Sequence, residues 1–357
     1  MKAGKQKIFD RSKTCPQKNR TASEGYVGGQ TFIGITENNA FSKDQSEYGM
    51  LEYILSPTNL NKAYLQVMRN KGAGGVDKME VESLKDYLVG NKEVLIQSIL
   101  GGKYRPNPVR RVLIPKDNGS KRQLGIPTVV DRVIQQSIYQ ILSPVYERQF
   151  SEYSYGFRPK RNAHDALKKC RDYITDGYSY AVDMDLEKFF DTVSHSKLIE
   201  VLSKTIKDGR VISLIHKYLN AGVMEEGMHE PSEQGVPQGG PLSPLLGNIM
   251  LNELDRELDR RGHKFVRYAD DMVILCKSKR SAERTIKNII PYIEGKLFLK
   301  VNREKSKVSH ARGVKFLGYS FYITKGEGRL RIHPKSVLKM KAKIKKLTSR
   351  SNGWGNE

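Results

Sequence analysis

Residues 264–276 read Lys-Phe-Val-Arg-Tyr-Ala-Asp-Asp-Met-Val-Ile-Leu-Cys. Phe265–Tyr268 and Met272–Leu275 are short runs of strand formers, so the spacing predicts a hairpin with Asp270 and Asp271 on its tight turn. Two adjacent carboxylates repel each other unless a cation lies between them. A divalent ion gives that relief, and hard oxygen ligands suit Mg²⁺. Asp is also common in turns for conformational reasons alone, because it tolerates unusual backbone angles. The turn by itself does not separate a metal ligand from a turn former. A second acidic strand upstream weighs toward the metal.

That strand is Tyr180-Ala181-Val182-Asp183-Met184-Asp185-Leu186, followed by Glu187-Lys188-Phe189-Phe190-Asp191. Alternation places Val182, Met184 and Leu186 on one face and Asp183 and Asp185 on the other. The apolar face is free to pack on a core while the carboxylates point into a cleft. Two-metal phosphoryl transfer needs carboxylates from separate segments, holding ions about 4 Å apart. One carboxylate of this strand plus the hairpin pair supplies that set. Periodicity does not choose between Asp183 and Asp185, which lie roughly 6.6 Å apart along a strand.

The Tyr268-Ala269-Asp270-Asp271 quartet resembles the YxDD box of reverse transcriptases, in the YADD form typical of bacterial group II intron-encoded proteins. Four further blocks resemble the same family in order and spacing. They are Lys116–Pro127, Tyr155–Pro159, Gln234–Pro244 and the segment Lys315-Phe316-Leu317-Gly318-Tyr319, which is similar to a primer-grip hairpin. The resemblance covers about residues 50–350. It implies an α+β fold of right-hand polymerase type, with fingers and palm, an antiparallel palm sheet packed on helices, and a helical N-terminal extension.

The resemblance also assigns roles. It makes Asp185, five residues before Phe190, the metal ligand of the first strand, joined by Asp270 and Asp271. It makes Phe190 a steric gate, whose ring would leave no room for a ribose 2′-hydroxyl, while the adjacent Phe189 is the better candidate for core packing. Lys116 and Arg122 resemble residues that clamp the incoming triphosphate. Arg forks onto phosphate and Lys acts as a point charge, and Asn118-Gly119-Ser120 between them reads as a hairpin tip. The stretch 101–123 carries seven Lys/Arg against Asp117 alone, which favours a phosphate role over a merely solvated turn. Gln238 matches a residue touching the nucleotide sugar, and Gly239 and Gly240 would let backbone approach nucleic acid closely. Lys305 resembles a palm lysine that protonates departing pyrophosphate, with Lys307 as its rival. The implied cofactor is a pair of Mg²⁺ ions, with Mn²⁺ as an expected substitute. The implied partners are dNTPs, an RNA template with a DNA primer, and group II intron RNA.

Composition agrees with a nucleic-acid enzyme. Lys+Arg number 62 against 39 Asp+Glu, a formal charge of +23, which is the electrostatic footprint of a polyanion binder. Cys15, Cys170 and Cys276 are far apart and form no CxxC pair, so neither zinc nor a disulfide framework is expected. No apolar run approaches membrane-spanning length and no secretory segment opens the chain, so a bacterial cytoplasmic location is expected. The oligomeric state is left open.

Residues 1–49 are polar and aperiodic and are expected to be disordered. Residues 50–180 read as the N-terminal extension and fingers, to which part of 195–240 also belongs. The palm spans about 181–325. Helices are predicted near 82–100, 128–148, 196–220, 242–262 and 280–296. Residues 331–350 hold eight Lys/Arg and no acid around Leu338, Met340, Ile344 and Leu347, which predicts a basic amphipathic helix. The resemblance makes 326–357 the start of a truncated thumb. Three functions follow in order of fit: an RNA-directed DNA polymerase that also serves as splicing maturase, a non-catalytic RNA-binding maturase, and an RNA-directed RNA polymerase, which Phe190 disfavours.

Overall fold

The computed structural model describes residues 49–115, 119 and 121–349. The expectations for 1–48, for Lys116 and for 350–357 lie outside the described residues. The described residues open with three helices, α1 (Met50–Ile54), α2 (Pro57–Asn70) and α3 (Leu84–Leu100). Then come strands β1 (Val109–Pro115) and β2 (Lys121–Ile126), followed by helices α4 (Val129–Glu147) and α5 (Ala163–Thr175). The middle holds β3 (Tyr180–Met184), α6 (Phe189–Thr192), α7 (His195–Thr205), α8 (Gly209–Leu219), β4 (Val223–Glu225) and β5 (Met228–Glu230). The last third runs α9 (Ser243–Arg260), β6 (Lys264–Tyr268), β7 (Asp271–Cys276), α10 (Lys279–Lys296), β8 (Lys307–His310), β9 (Tyr319–Thr324), β10 (Glu327–Ile332) and α11 (Pro334–Leu347).

Among the described residues there are three sheets. The central one has order β6-β7-β3-β8 with every pairing antiparallel. Its register sets Val182 opposite Ile274 and Met184 opposite Met272 on one face, with Ala181 opposite Leu275 and Asp183 opposite Val273 on the other. The first face joins the large core that α9 and α10 cover, where Val182, Ile274 and Phe265 are fully buried. The second face packs on α5 through Ala181, Val273, Leu275, Leu167 and Cys170. Alternation along β3 thus serves two apolar layers, and carboxylates replace hydrocarbon only toward its end, with Asp183 on the second face and Asp185 just past Met184. A second sheet, β2-β1-β4-β5, carries the 223–230 segment onto the 109–126 hairpin, with β1 and β4 parallel. The β9–β10 hairpin stands alone as the third.

Side-chain caps place most helix starts. Ser56, Thr128, Asn162, Ser194 and Ser278 each accept from the backbone N–H three residues on. The single helix expected near 196–220 is two. Ile206 turns extended and Asp208 caps α8, also accepting from the Leu51 N–H 3.1 Å away. A residue whose side chain satisfies orphan donors starts a new helix more readily than it continues an old one. The basic C-terminal helix is present, and none of its residues is buried. Among the described residues no helix is long and apolar enough to cross a membrane.

Candidate active site

The β6–β7 pair closes with Tyr268 opposite Asp271, leaving Ala269 and Asp270 as the turn. Ala269 takes φ 57°, the left-handed region that L-residues avoid. Continuing the β3–β7 register past Met184–Met272 brings Asp185 level with Asp271. The Asp185 backbone is fixed from the other side. Its N–H donates to Ser306 Oγ at 3.0 Å, and its carbonyl accepts from the Asn302 N–H at 2.9 Å. The Asn302 side chain in turn caps the Lys305 N–H at 3.2 Å. Asp185 and the turn that carries Lys305 are therefore one local unit.

A cleft of about 990 Å³ opens above these residues. Asp185, Asp270, Asp271, Lys305, Phe190, Gln238 and Arg122 all line it. Every site residue expected from sequence that lies within the described part is on its wall. Asp183 and Lys307 are not. They pair with each other across β3 and β8, and Lys307 offsets the upward push that burial gives the Asp183 carboxyl. The alternatives that periodicity left open thus differ in position: Asp185 and Lys305 face the cleft, meeting at 3.4 Å.

Phe189 is buried in the core and Phe190 half-buried on the cleft wall, their rings edge to face with centroids 5.0 Å apart. The Phe190 carbonyl accepts from the Val236 N–H at 2.6 Å, tying α6 to the Gln234–Pro244 block. In that block the Gln238 carbonyl accepts from the Gly125 N–H at 2.7 Å, so this cleft-lining loop is anchored on strand β2. Gly239, with φ 135°, has its missing side chain pressed against the Gly125 carbonyl. Gly239 thus makes a close backbone approach to strand β2 while also lining the cleft.

The cleft is also lined by residues not singled out from sequence. Lys121 sits beside Arg122 at the start of β2. Phe157 lines it with an exposed ring and a left-handed φ of 56°. Lys121 belongs to the basic run already noted and Phe157 to the Tyr155–Pro159 block, but neither was assigned a role from sequence. Only the fold brings the Tyr155–Pro159 block under the hairpin turn.

Electrostatics follow from three acids at one end of a sheet. Burial pushes the Asp271 carboxyl up to about 6, reinforced by Asp270, Asp183 and Asp185 and opposed by Lys315. Asp271 is nevertheless reached by water from the cleft. Among the described residues, no hydrogen bond satisfies the carboxylate of Asp270 or Asp271. None of their sets of three or more His, Cys, Asp and Glu side chains is arranged to hold an ion. Hard oxygen donors without protein hydrogen-bond partners are the donor type that suits a divalent cation. The donor chemistry suits a divalent cation, and the cationic side chain beside Asp185 is Lys305.

Comparison with known proteins shows the family to which the chain belongs. Residues 114–321 match the family described as reverse transcriptase (RNA-dependent DNA polymerase). The chain belongs to the reverse transcriptase family. Protein YkfC of Escherichia coli strain K12 is 35% identical over 311 residues, covering 76% of this chain and 82% of that protein. The group II intron-encoded protein LtrA of Lactococcus lactis subsp. cremoris is 31% identical over 381 residues, covering 88% of this chain. The chain spans 62% of the length of LtrA. Telomerase from Candida albicans, solved with a fragment of telomeric RNA, shares the fold at TM-score 0.50 and 14% identity, over 69% of this chain and 50% of that one. The α+β fingers-and-palm fold expected from sequence is the fold observed.

Proposed function

We propose that the cleft carries out RNA-templated addition of dNTPs to a primer 3′-hydroxyl, and that the protein also binds group II intron RNA as a splicing maturase. The observation that carries the first part is the convergence of Asp185, Asp270, Asp271, Arg122, Phe190, Gln238 and Lys305 on one cleft from five separate stretches of chain. In the reaction the primer 3′-oxygen forms a bond to the α-phosphorus while the bond from that phosphorus to the bridging oxygen breaks, releasing pyrophosphate.

Asp185, Asp270 and Asp271 would hold two Mg²⁺ ions. The chemistry supplied there, when they are bound, is a lowered pKa for the primer hydroxyl and neutralisation of the triphosphate and leaving pyrophosphate. Arg122, joined by Lys121, grips the triphosphate, with the guanidinium fork matched to phosphate oxygens. Gln238 meets the sugar, and the Phe190 ring excludes a 2′-hydroxyl by occupying its volume. Lys305 leaves Asp185 when substrate enters and delivers a proton to the leaving group. The rest is positioning: the protein forms no covalent intermediate, and the rate comes from alignment and charge stabilisation.

Primer extension on an RNA template with Mg²⁺ tests this directly. Wild type should extend with dNTPs and not with rNTPs. Asp270→Ala should abolish extension while RNA affinity stays within a few-fold. Full extension by that variant would reject the assignment, and extension by rNTPs alone would make the protein an RNA polymerase. An RNA binder that extends with neither would be a non-catalytic maturase.

A further inference from the structure

The β6–β7 turn rests on a buried charge that the reaction above does not use. Arg267 is fully enclosed, as is its partner Asp255 on α9. Its Nη2 donates to Asp255 Oδ2 at 2.5 Å and its Nε to Oδ1 at 2.8 Å, a two-pronged pair. Removing both charges from water costs about as much as their attraction returns, and apolar pairs of similar volume are often as stable or more so. Stability alone therefore does not account for a guanidinium here.

Geometry does. The remaining prong, Nη1, donates to the Ala269 carbonyl at 2.9 Å and to Asn248 Oδ1 at 2.9 Å. Ala269 is the residue held at φ 57° immediately before Asp270. Asn248, also on α9, donates from Nδ2 to the Gly156 carbonyl at 2.8 Å. Arg267 backbone groups are engaged as well: its N–H donates to the Tyr153 carbonyl and its carbonyl accepts from the Tyr155 N–H, both at 2.9 Å. One residue, through its side chain and backbone, thus links helix α9, the 153–156 segment and the left-handed residue of the acidic turn.

We propose that Arg267, with Asp255 as counter-charge and Asn248 as brace, is a positioning residue that holds the Ala269–Asp270 turn in the backbone conformation needed to aim Asp270 and Asp271 at a shared divalent ion. The inference rests on reading the cleft as the polymerase site. Four N–H groups of one rigid fork serve Asp255, Asn248 and the Ala269 carbonyl together, which a lysine ammonium at the same place does not reproduce.

The test compares Arg267→Lys and Asn248→Leu with Leu258→Ala, a variant that empties core on the same helix away from the turn. Three quantities are read on each full-length protein: the melting midpoint, the affinity for Mn²⁺ alone by electron paramagnetic resonance, and kcat and KM for one dNTP addition. Arg267→Lys and Asn248→Leu should each bind Mn²⁺ roughly tenfold or more weaker and lose a similar factor in kcat, as partners that orient metal ligands typically do. KM for the dNTP should hold, because the triphosphate grip is elsewhere. Leu258→Ala should melt earlier yet keep both Mn²⁺ affinity and kcat.

Equal losses in Leu258→Ala would reduce Arg267 to a stability residue and overturn the proposal. So would unchanged Mn²⁺ affinity in a folded Arg267→Lys. If Arg267→Lys does not fold, Asn248→Leu decides: it leaves the ion pair intact and removes only the brace, and wild-type values there overturn the proposal. A wild type that adds no nucleotide would sink the polymerase reading, while the Mn²⁺ comparison would still decide whether Arg267 sets the turn.

Discussion

A single methyl group at position 156 should silence the cleft while leaving most of the fold standing. Built onto Gly156, a Cβ lies 2.9 Å from the Tyr268 carbonyl carbon and 3.1 Å from Ala269 Cα, and closer still to the Ala269 amide nitrogen. All three are backbone atoms of the acidic turn, so no side chain can swing aside. Carbon contacts settle at about 3.5–4.0 Å, so the turn must retreat by on the order of 1 Å. Displacement of that size in a site that works by alignment costs roughly 100-fold in rate. Overpacking of this kind destabilises by about 1–3 kcal/mol, and each kcal/mol moves the midpoint of a domain of 150–250 residues by about 2–4 °C. Gly156→Ala should therefore fold, melt a few degrees earlier, keep RNA affinity, and lose about two orders of magnitude in kcat for a single dNTP addition at saturating Mg²⁺. A folded Gly156→Ala protein whose kcat stays within about threefold of wild type would refute the reasoning, since alignment of the turn would then not limit the reaction.

Other outcomes follow from the same geometry. The Asp271 carboxyl has a folded pKa pushed up to about 6 from 3.8, so the metal-free fold binds protons more tightly than the unfolded chain. Its contribution must then fall as pH rises from about 4 to 6, with the penalty complete above 6. A two-unit shift is worth about 3 kcal/mol, which exposure to the cleft reduces to about 1. Asp271→Asn should accordingly melt later than wild type in EDTA at pH 7.5 and nearly level with it at pH 4, while losing extension; an earlier melt at pH 7.5 would contradict this. Divalent affinity of the wild type should weaken below pH 6 as protons compete for the same carboxyl, measurable by titration with Mn²⁺. Phe190→Val should raise rNTP incorporation relative to dNTP by about tenfold or more, as expected when a packed contact no longer excludes a hydroxyl. An unchanged ratio in single-addition assays would place the gate elsewhere.

Much of the local structure was legible in the chain. The period-two pattern of 180–186 and 264–276, together with the Asp pair, marked an antiparallel hairpin beside an acidic strand, because strand faces repeat every second residue wherever they lie. Asp208 showed the cost of reading periodicity alone: apolar spacing ran through 196–220, while a capping side chain split the helix there. The split between Asp183 and Asp185 was likewise invisible to alternation, which puts both on one face. It took β8 alongside β3 to set Asp183 against Lys307 and leave Asp185 at the open end.

The amino-acid sequence by itself determined the class of fold, the acidic residues at its centre and the basic character of the surface, since these depend on residue type and short-range spacing. Only the tertiary structure decided that Arg267 is a buried brace rather than a solvated strand residue, that Gly156 is the surface on which the acidic turn sits, and that Phe157 faces the cleft. Those properties depend on contacts between segments as far apart as Gly156 and Asn248, 92 residues along the chain. No local pattern encodes them, because they arise when helix α9, the β6–β7 hairpin and the 153–158 segment exclude water from one another.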